Sequence, residues 1–334
     1  MDMLTARGHL DVIWKGVQGI MNTVVDVRGL TRRFGQLTAV DGVAFQVEEG
    51  EIFGFLGPNG AGKTTTVRML TGVLEPTAGT ASIQGHDIRT EALLSRAHLG
   101  IVPEEANVYV DLSVWQNVML MAELHGVPRR ERTESADRLL ESLGLADRKK
   151  QKARALSKGL RQRLMLCTAL VTGPEILFLD EPTSGLDVQS ARLIREIVRE
   201  RNREGLTVFL TTHNMDEAEE MCSRLAIINK GRIAAIDTPD GLRGVVRSRQ
   251  YTEVVLEGGT QDAHDFEAVT GVTQVSEQSG RFRLYTETPG RVATETVRLA
   301  DAKGWQIADI CTRKPSLKEV YIHITGQAEQ EAPK

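Results

Sequence analysis

Hydrophobic positions form short unbroken runs in the first two thirds of this chain and alternating or helically spaced patterns in the last third. Ile52-Phe53-Gly54-Phe55-Leu56 and Ile176-Leu177-Phe178-Leu179 are continuous runs, as expected of parallel strands covered on both faces. Thr207–Leu210 reads as a further strand and Val24–Arg28 as the first. Thr65–Leu74 reads as a helix. From Asp111 to about Leu156 the spacing turns helical, with Ser113 as N-cap for Val114–Leu124 and Pro128 opening a helix through Leu143. Ser157–Val171 and Val188–Arg203 are predicted helices, the second capped by Asp187.

After Thr238-Pro239 the pattern changes. Tyr251–Glu257 predicts a strand, Asp262–Val269 a helix and Val272–Glu277 a strand. Phe282–Glu287 follows a turn at Gly280 as another strand. Arg291–Lys303 has Ala293, Val297 and Ala300 on one face and Gly304 as its stop. Trp305–Cys311 is the last strand. The order β-α-β-β-α-β predicts a small ferredoxin-like α+β module. Pro315 to Tyr321 starts a final helix, and Gln327–Lys334 is a polar tail expected to be disordered.

The loop after the first continuous run carries the sharpest chemistry. Gly57-Pro58-Asn59-Gly60-Ala61-Gly62-Lys63-Thr64-Thr65 fits G-x-x-x-x-G-K-[ST] between a strand and a helix. Gly57, Gly60 and Gly62 let backbone N–H groups converge on phosphate oxygens, and the helix start adds its dipole. Lys63 reaches β- and γ-phosphates, and the Thr64 hydroxyl is a Mg²⁺ ligand. An ordinary glycine turn is the bland alternative, which the flanking strand and helix disfavour. The second run ends in Asp180-Glu181. A parallel strand delivers both acids to the carboxyl edge of its sheet, where such folds bind ligands. Asp180 then suits Mg²⁺, and Glu181 suits orienting or deprotonating an attacking water. Paired acids in a surface turn are the alternative.

The order of these motifs resembles the nucleotide-binding subunit of ABC transporters. Leu156-Ser157-Lys158-Gly159-Leu160 resembles the family's signature sequence, Ser184-Gly185-Leu186-Asp187 its D-loop, and Thr211-Thr212-His213 its switch histidine. Phe34 falls where the family has an aromatic that stacks on adenine. The resemblance covers about Val24 to Asp237. It implies an α/β fold, a P-loop NTPase core of the ABC ATPase type with a helical subdomain. It implies roles for Ser157, Lys158 and Gly159 at ATP, and for His213 at a γ-phosphate oxygen. Taken alone, Ser157 is only an N-cap, Phe34 a core residue, and His213 a satisfied polar group. Two departures stand out. Glu104 occupies the place of the Q-loop glutamine, where a glutamate only accepts hydrogen bonds but can still bind Mg²⁺. Lys158 replaces the first signature glycine; a cation there should favour bound triphosphate, with a merely solvated side chain as the alternative.

The resulting layout is an extension over 1–22, with Met21 as an alternative start. An ABC ATPase domain follows over 23–240, its helical subdomain at about 104–160. An accessory α+β module spans 241–326 and a tail 327–334. Apolar content of 41% supports real cores, and a net charge of −4 gives no global nucleic-acid signature. The basic run Arg148, Lys149, Lys150, Lys152, Arg154, Lys158, Arg161 and Arg163 contains no acid. Its first five members read as a solvated face; the last three flank the signature. Three sparse cysteines, Cys167, Cys222 and Cys311, scattered without metal spacing, fit a reducing cytoplasm. No apolar run approaches the ~18 residues needed to cross a bilayer.

By resemblance, then, the chain is an ATPase with ATP and Mg²⁺ as its cofactors, on the cytoplasmic face of the membrane. Its partners are a separate transmembrane permease and a second ATPase subunit, most simply an identical copy. Tyr109, Leu112 and Trp115 are expected near the permease, with core packing as the alternative. The chain's ending is similar to that of ATPases paired with ABC-2 type permeases, which implies export. The rivals are a soluble ABC ATPase acting on nucleic acid or ribosomes, and an importer subunit. Against the first, the interval from Lys63 to Ser157 is too short for a long coiled-coil insert, and there is one cassette.

Overall fold

The computed structural model describes residues 22–244, 250–257 and 262–326; the expected extension and tail lie outside the described residues. The chain enters on β1 (Thr23–Phe34), β2 (Leu37–Glu48), the buried run β3 (Ile52–Leu56) and helix α1 (Lys63–Leu70). Next come β4 (Ala78–Ile83), β5 (His86–Asp87), α2 (Ala92–Ala97) and β6 (Leu99–Val102). A helical stretch carries α3 (Val114–Leu124), α4 (Arg129–Ser142) and α5 (Lys158–Leu170). The larger domain closes with β7 (Ile176–Asp180), α6 (Val188–Arg203), β8 (Thr207–Thr212), α7 (Met215–Met221), β9 (Arg224–Asn229), β10 (Arg232–Asp237) and α8 (Pro239–Gly244).

Two sheets stack here. One has the order β10-β9-β3-β8-β7-β6, parallel except for β10 at its edge. The other, β2-β1-β4-β5, is antiparallel. Alternation along β3 shows why its run is unbroken. Phe53 and Phe55 face the antiparallel sheet and join Phe45, Phe178 and Phe209 in one aromatic cluster. Ile52 and Leu56 face the helices on the other side. Each buried phenylalanine contributes roughly 1.5–3 kcal/mol, so this layer anchors the strand that precedes the phosphate loop. Gly54 is there for space: a Cβ would come within 2.4 Å of Leu225 and 2.7 Å of Cys222.

Several boundaries differ from the sequence pattern. The first strand runs on to Phe34, past a register shift beside Gly29, whose φ is +60°. Its outer half buries Leu30 and Thr31 in succession and ends in Arg32, Arg33 and Phe34, so it shows no alternation of apolar and polar positions. Helix α1 begins at Lys63 and stops at Leu70 rather than spanning 65–74, because Gly72 follows at φ +69° with the Arg96 guanidinium on its carbonyl at 2.6 Å. The short helix α2 was not expected. Strand β8 runs two residues further than Leu210, since Thr211 and Thr212 are buried and hydrogen-bonded. Ser113 does cap α3, with a full capping box to Gln116.

The C-terminal residues form β11 (Tyr251–Leu256), α9 (His264–Glu267), β12 (Gln274–Gln278), β13 (Arg281–Tyr285), α10 (Pro289–Lys303), β14 (Ile307–Arg313) and α11 (Leu317–Thr325). Their antiparallel sheet has the order β12-β13-β11-β14, which is the ferredoxin-like arrangement. Its core gathers Val254, Phe266, Phe282, Leu284 and Val292. Helix α9 is a single turn, not the two turns of 262–269. Helix α11 belongs elsewhere by packing. Leu317, Val320 and Tyr321 join the same core as Leu242 and the helical face of the parallel sheet. Arg243 fastens the junction, donating to the Pro315 carbonyl at 3.1 Å and pairing with Asp240 and Glu219.

Leu317 is 1% exposed, so Leu317→Ala should cost about 2–4 kcal/mol of stability. Urea denaturation checks it; a loss below about 0.5 kcal/mol would mean that α11 does not dock on the larger domain's core.

Candidate functional site

The site lies where β3, β7 and β8 end on one edge of the parallel sheet. The loop after β3 is shaped by close backbone packing. A Cβ on Gly57 would sit 2.4 Å from the Ile228 carbonyl, and one on Gly62 2.6 Å from the Ala39 carbonyl. Gly60 and Gly62 also have φ of +80° and +108°, a region that L side chains rarely adopt. Pro58, Asn59, Ala61 and Thr65 complete the loop and lead into α1. Gly231 N–H donates to the Ala61 carbonyl at 2.9 Å and so pins the loop from β9–β10.

Lys63 is the first residue of α1 and is 5% exposed. Its Nζ donates to the Gly57 carbonyl at 2.6 Å and the Pro58 carbonyl at 3.1 Å. The same ammonium lies 3.0 Å from Oε1 of Glu181, outside hydrogen-bond angles, so that contact is coulombic. On its other side Glu181 Oε2 meets His213 Nδ1 at 2.8 Å. Glu181 is 6% exposed, His213 nearly half. Sites 118 and 32 residues apart in sequence are thus joined through one carboxylate.

Glu181 holds a strained backbone, with φ of +50°. Its N–H donates to the carbonyl and to Oγ1 of Thr211, each at 3.1 Å, which stabilises that conformation. The Thr211 hydroxyl in turn donates to Asp180 Oδ1 at 2.5 Å. Oδ2 of Asp180 stays available. Thr64 and Asp180 line one cleft of about 1070 Å³, together with the exposed Glu104. In the sequence Thr211 stands out only as part of Thr211-Thr212-His213, with no role of its own. Two threonines directly after an apolar run were the available signal, since buried hydroxyls need partners. Glu217 was also missed: it is 3% exposed and accepts from Thr183 and Thr212, each at 2.7 Å.

Phe34 sits at the tip of the β1–β2 hairpin, 45% exposed, with the Arg32 guanidinium 4.7 Å from its ring centroid. It is therefore not a core residue. The same β2 strand runs beside the phosphate loop at Ala39 and Val40. Ser157 caps α5 by accepting from Leu160 N at 3.3 Å. Gln162, one turn on, donates to the Pro103 carbonyl at 3.3 Å and links this helix to the Glu104 segment. Lys158 is engaged within its own chain: its Nζ donates to the Ser184 carbonyl at 2.9 Å. Arg163 likewise donates to Ser190 Oγ at 2.9 Å. Of the preceding basic residues, Lys149 and Arg154 pair with Asp137 and Asp111.

The donors available to a divalent cation are the Thr64 hydroxyl, Asp180 Oδ2 and Glu104. Among the described residues no group of three or more His, Cys, Asp or Glu side chains is arranged to hold a metal. Mg²⁺ fits such a sparse set, because it keeps waters and takes substrate phosphate oxygens beside one or two protein ligands.

The ABC transporter family model matches residues 40–184. The daunorubicin resistance ATP-binding protein DrrA3 of Streptomyces coeruleorubidus is 36% identical over 307 residues, 91% of this chain and 96% of that protein. The Nod factor export ATP-binding protein I of Burkholderia thailandensis is 35% identical over 308 residues, 92% of this chain and 98% of that protein. A solved ATP-binding subunit of an ABC transporter superposes with a TM-score of 0.63 at 29% identity, covering 67% of this chain and 93% of that one. The chain belongs to the ABC transporter family, among its ATP-binding, ATP-hydrolysing subunits.

Proposed function

We propose that this chain powers an ABC-2 type exporter as a pair of ATPase subunits on a separate membrane permease, at the cytoplasmic face of the membrane. Export is supported by relatives named for drug resistance and Nod factor export. A separate permease is supported by their description as ATP-binding proteins; among the described residues no helix is long and apolar enough to cross a membrane. Exposed Tyr109, Val110 and Leu124 offer the apolar surface for the permease, and Tyr109 rims the Thr64–Asp180 cleft. Trp115 is a weaker candidate, since it packs on the core with Lys149 5.3 Å from its ring.

The observation that carries the hydrolytic role is the buried Lys63–Glu181 pair with half-exposed His213 against it. Backbone amides of Gly60, Ala61, Gly62 and Lys63 receive the ATP phosphates at the start of α1. Lys63 turns from the loop carbonyls and Glu181 toward the β/γ oxygens. Release from that ammonium leaves Glu181 free to accept the proton of an attacking water. His213 keeps Glu181 oriented through Nδ1 and presents Nε2 outward to a γ-phosphate oxygen. Phe34 supplies a flat face for the adenine. Thr64, Asp180 and Glu104 would hold Mg²⁺, which neutralises charge on the phosphates when bound. Ser157 and Gly159 of a second copy complete each site, because their helix start presents a hydroxyl and N–H groups to an anion.

Glu181→Gln should cut ATP turnover about 10²-fold or more, since the amide cannot take a proton. It should still bind ATP and form an ATP-dependent dimer on size exclusion. Turnover like the wild type would remove Glu181 as the base.

Lys63→Ala should weaken ATP binding by about tenfold or more through loss of a charge-assisted contact. Titration with a fluorescent ATP analogue measures it. Unchanged affinity would sink the assignment of the phosphate loop.

A further inference from the structure

Lys158 breaks a local rule. It is the first residue of α5, and that helix has no acid in its first turn. A cation beside the positive end of a helix dipole is unfavourable. Such a conflict points to a compensating role elsewhere. The compensation is visible. Lys158 Nζ donates to the Ser184 carbonyl at 2.9 Å. The ammonium is seated so closely that a Cβ on Gly185 would lie 2.7 Å from it. Gly185 also has φ of +63°, a conformation that favours glycine.

The loop it grips begins at the hydrolytic carboxylate. Ser184 N–H donates to the Glu181 carbonyl at 3.1 Å, and Leu186 N–H to the Thr183 carbonyl at 3.2 Å. The lysine therefore holds the far side of the same tight turn whose near end is strained Glu181. A second contact runs parallel to it. A Cβ on Gly159 would meet Ser190 Oγ at 2.5 Å and Asp187 Oδ2 at 3.2 Å, so the two helix starts are in close contact. Arg163 donates to Ser190 Oγ, which donates to Asp187 Oδ2 at 2.7 Å. The Asp187 carboxyl is held below its usual range by Ser190 N–H, then by the Ser190 hydroxyl, with Arg163 adding charge. Arg163 and Gly159 fasten α5 to α6, whereas Lys158 alone of the three reaches the turn at Glu181.

We propose that Lys158 is a positioning residue that ties the signature turn to the loop leaving Glu181, so that both move as one body when ATP is hydrolysed. The proposal rests on the reading that these loops face ATP across a pair of subunits. It assigns the lysine charge to its own chain's D-loop and not to the triphosphate. Its consequence is that contact made by the signature turn with nucleotide reaches Glu181 of the same chain through one hydrogen bond and one tight turn.

The test compares full-length Lys158→Met and Lys158→Arg with the wild type. Hydrogen exchange of Ser184–Asp187 is measured on the nucleotide-free chain, and kcat and KM for ATP in steady state. Lys158→Met should speed exchange at the Ser184 and Leu186 amides several-fold and lower kcat about threefold to tenfold, with KM within about twofold. Lys158→Arg should restore both, since a guanidinium can donate to the same carbonyl. Unchanged exchange in Lys158→Met would overturn the tie. A large rise in KM with kcat unchanged would also overturn it, by placing the ammonium on ATP. The exchange readout needs no nucleotide. It therefore stands apart from the ATP-dependent dimer of Glu181→Gln, on which the paired-subunit reading depends.

Discussion

One buried carboxylate organises this active edge. Glu181 joins the ammonium of the phosphate loop, the histidine after β8 and, through its backbone, Thr211 and the turn to Ser184. An acid removed from water needs such partners, because burial of an unpaired charge is expensive. In the proposed hydrolysis this pairing constrains the chemistry: the lysine proposed to serve the phosphates neutralises the carboxylate proposed as base. On that proposal, substrate binding and release of the base are linked by a single ammonium.

The fold provides for that linkage by placing three strand ends side by side. Phe53, Phe55, Phe178 and Phe209 interlock β3, β7 and β8 from one face, while α5 and α6 cover the other. The loops leaving those strands inherit the sheet's rigidity. Glu181 sustains a left-handed backbone only because Thr211 on the neighbouring strand takes its N–H twice. The two interior cysteines fit the same dense packing. Burial pushes the thiols of Cys167 and Cys222 far up, so neither is reactive.

Features set by near neighbours could be read from sequence. The phosphate loop, the caps at Ser113, Ser157 and Asp187, and the continuous runs at Ile52 and Ile176 each follow from residues within a few positions. What escaped depends on chain segments that meet only after folding. Thr211 matters because β7 and β8 are adjacent; nothing near it in sequence names Asp180 as its partner. The place of Lys158 in the signature suggests charge for a triphosphate, whereas its reach to the Ser184 carbonyl depends on a loop that comes near only in the fold. Helix α11 looked like the end of the accessory module because it follows β14, yet its apolar face matches the larger core. The outer half of β1 carried no alternation to read: Leu30 and Thr31 are buried side by side, and Arg32, Arg33 and Phe34 extend the strand by pairing with β2.

The central claim is that each hydrolytic site is shared: Lys63, Glu181 and His213 from one copy, the turn at Ser157 from another. Two full-length variants, Lys63→Ala and Ser157→Arg, test it most directly when assayed for ATPase activity alone and after mixing. The account predicts that each alone is nearly silent and that the mixture recovers part of the activity, because a mixed pair contains one site free of both lesions. Wild-type turnover by Ser157→Arg alone would contradict it.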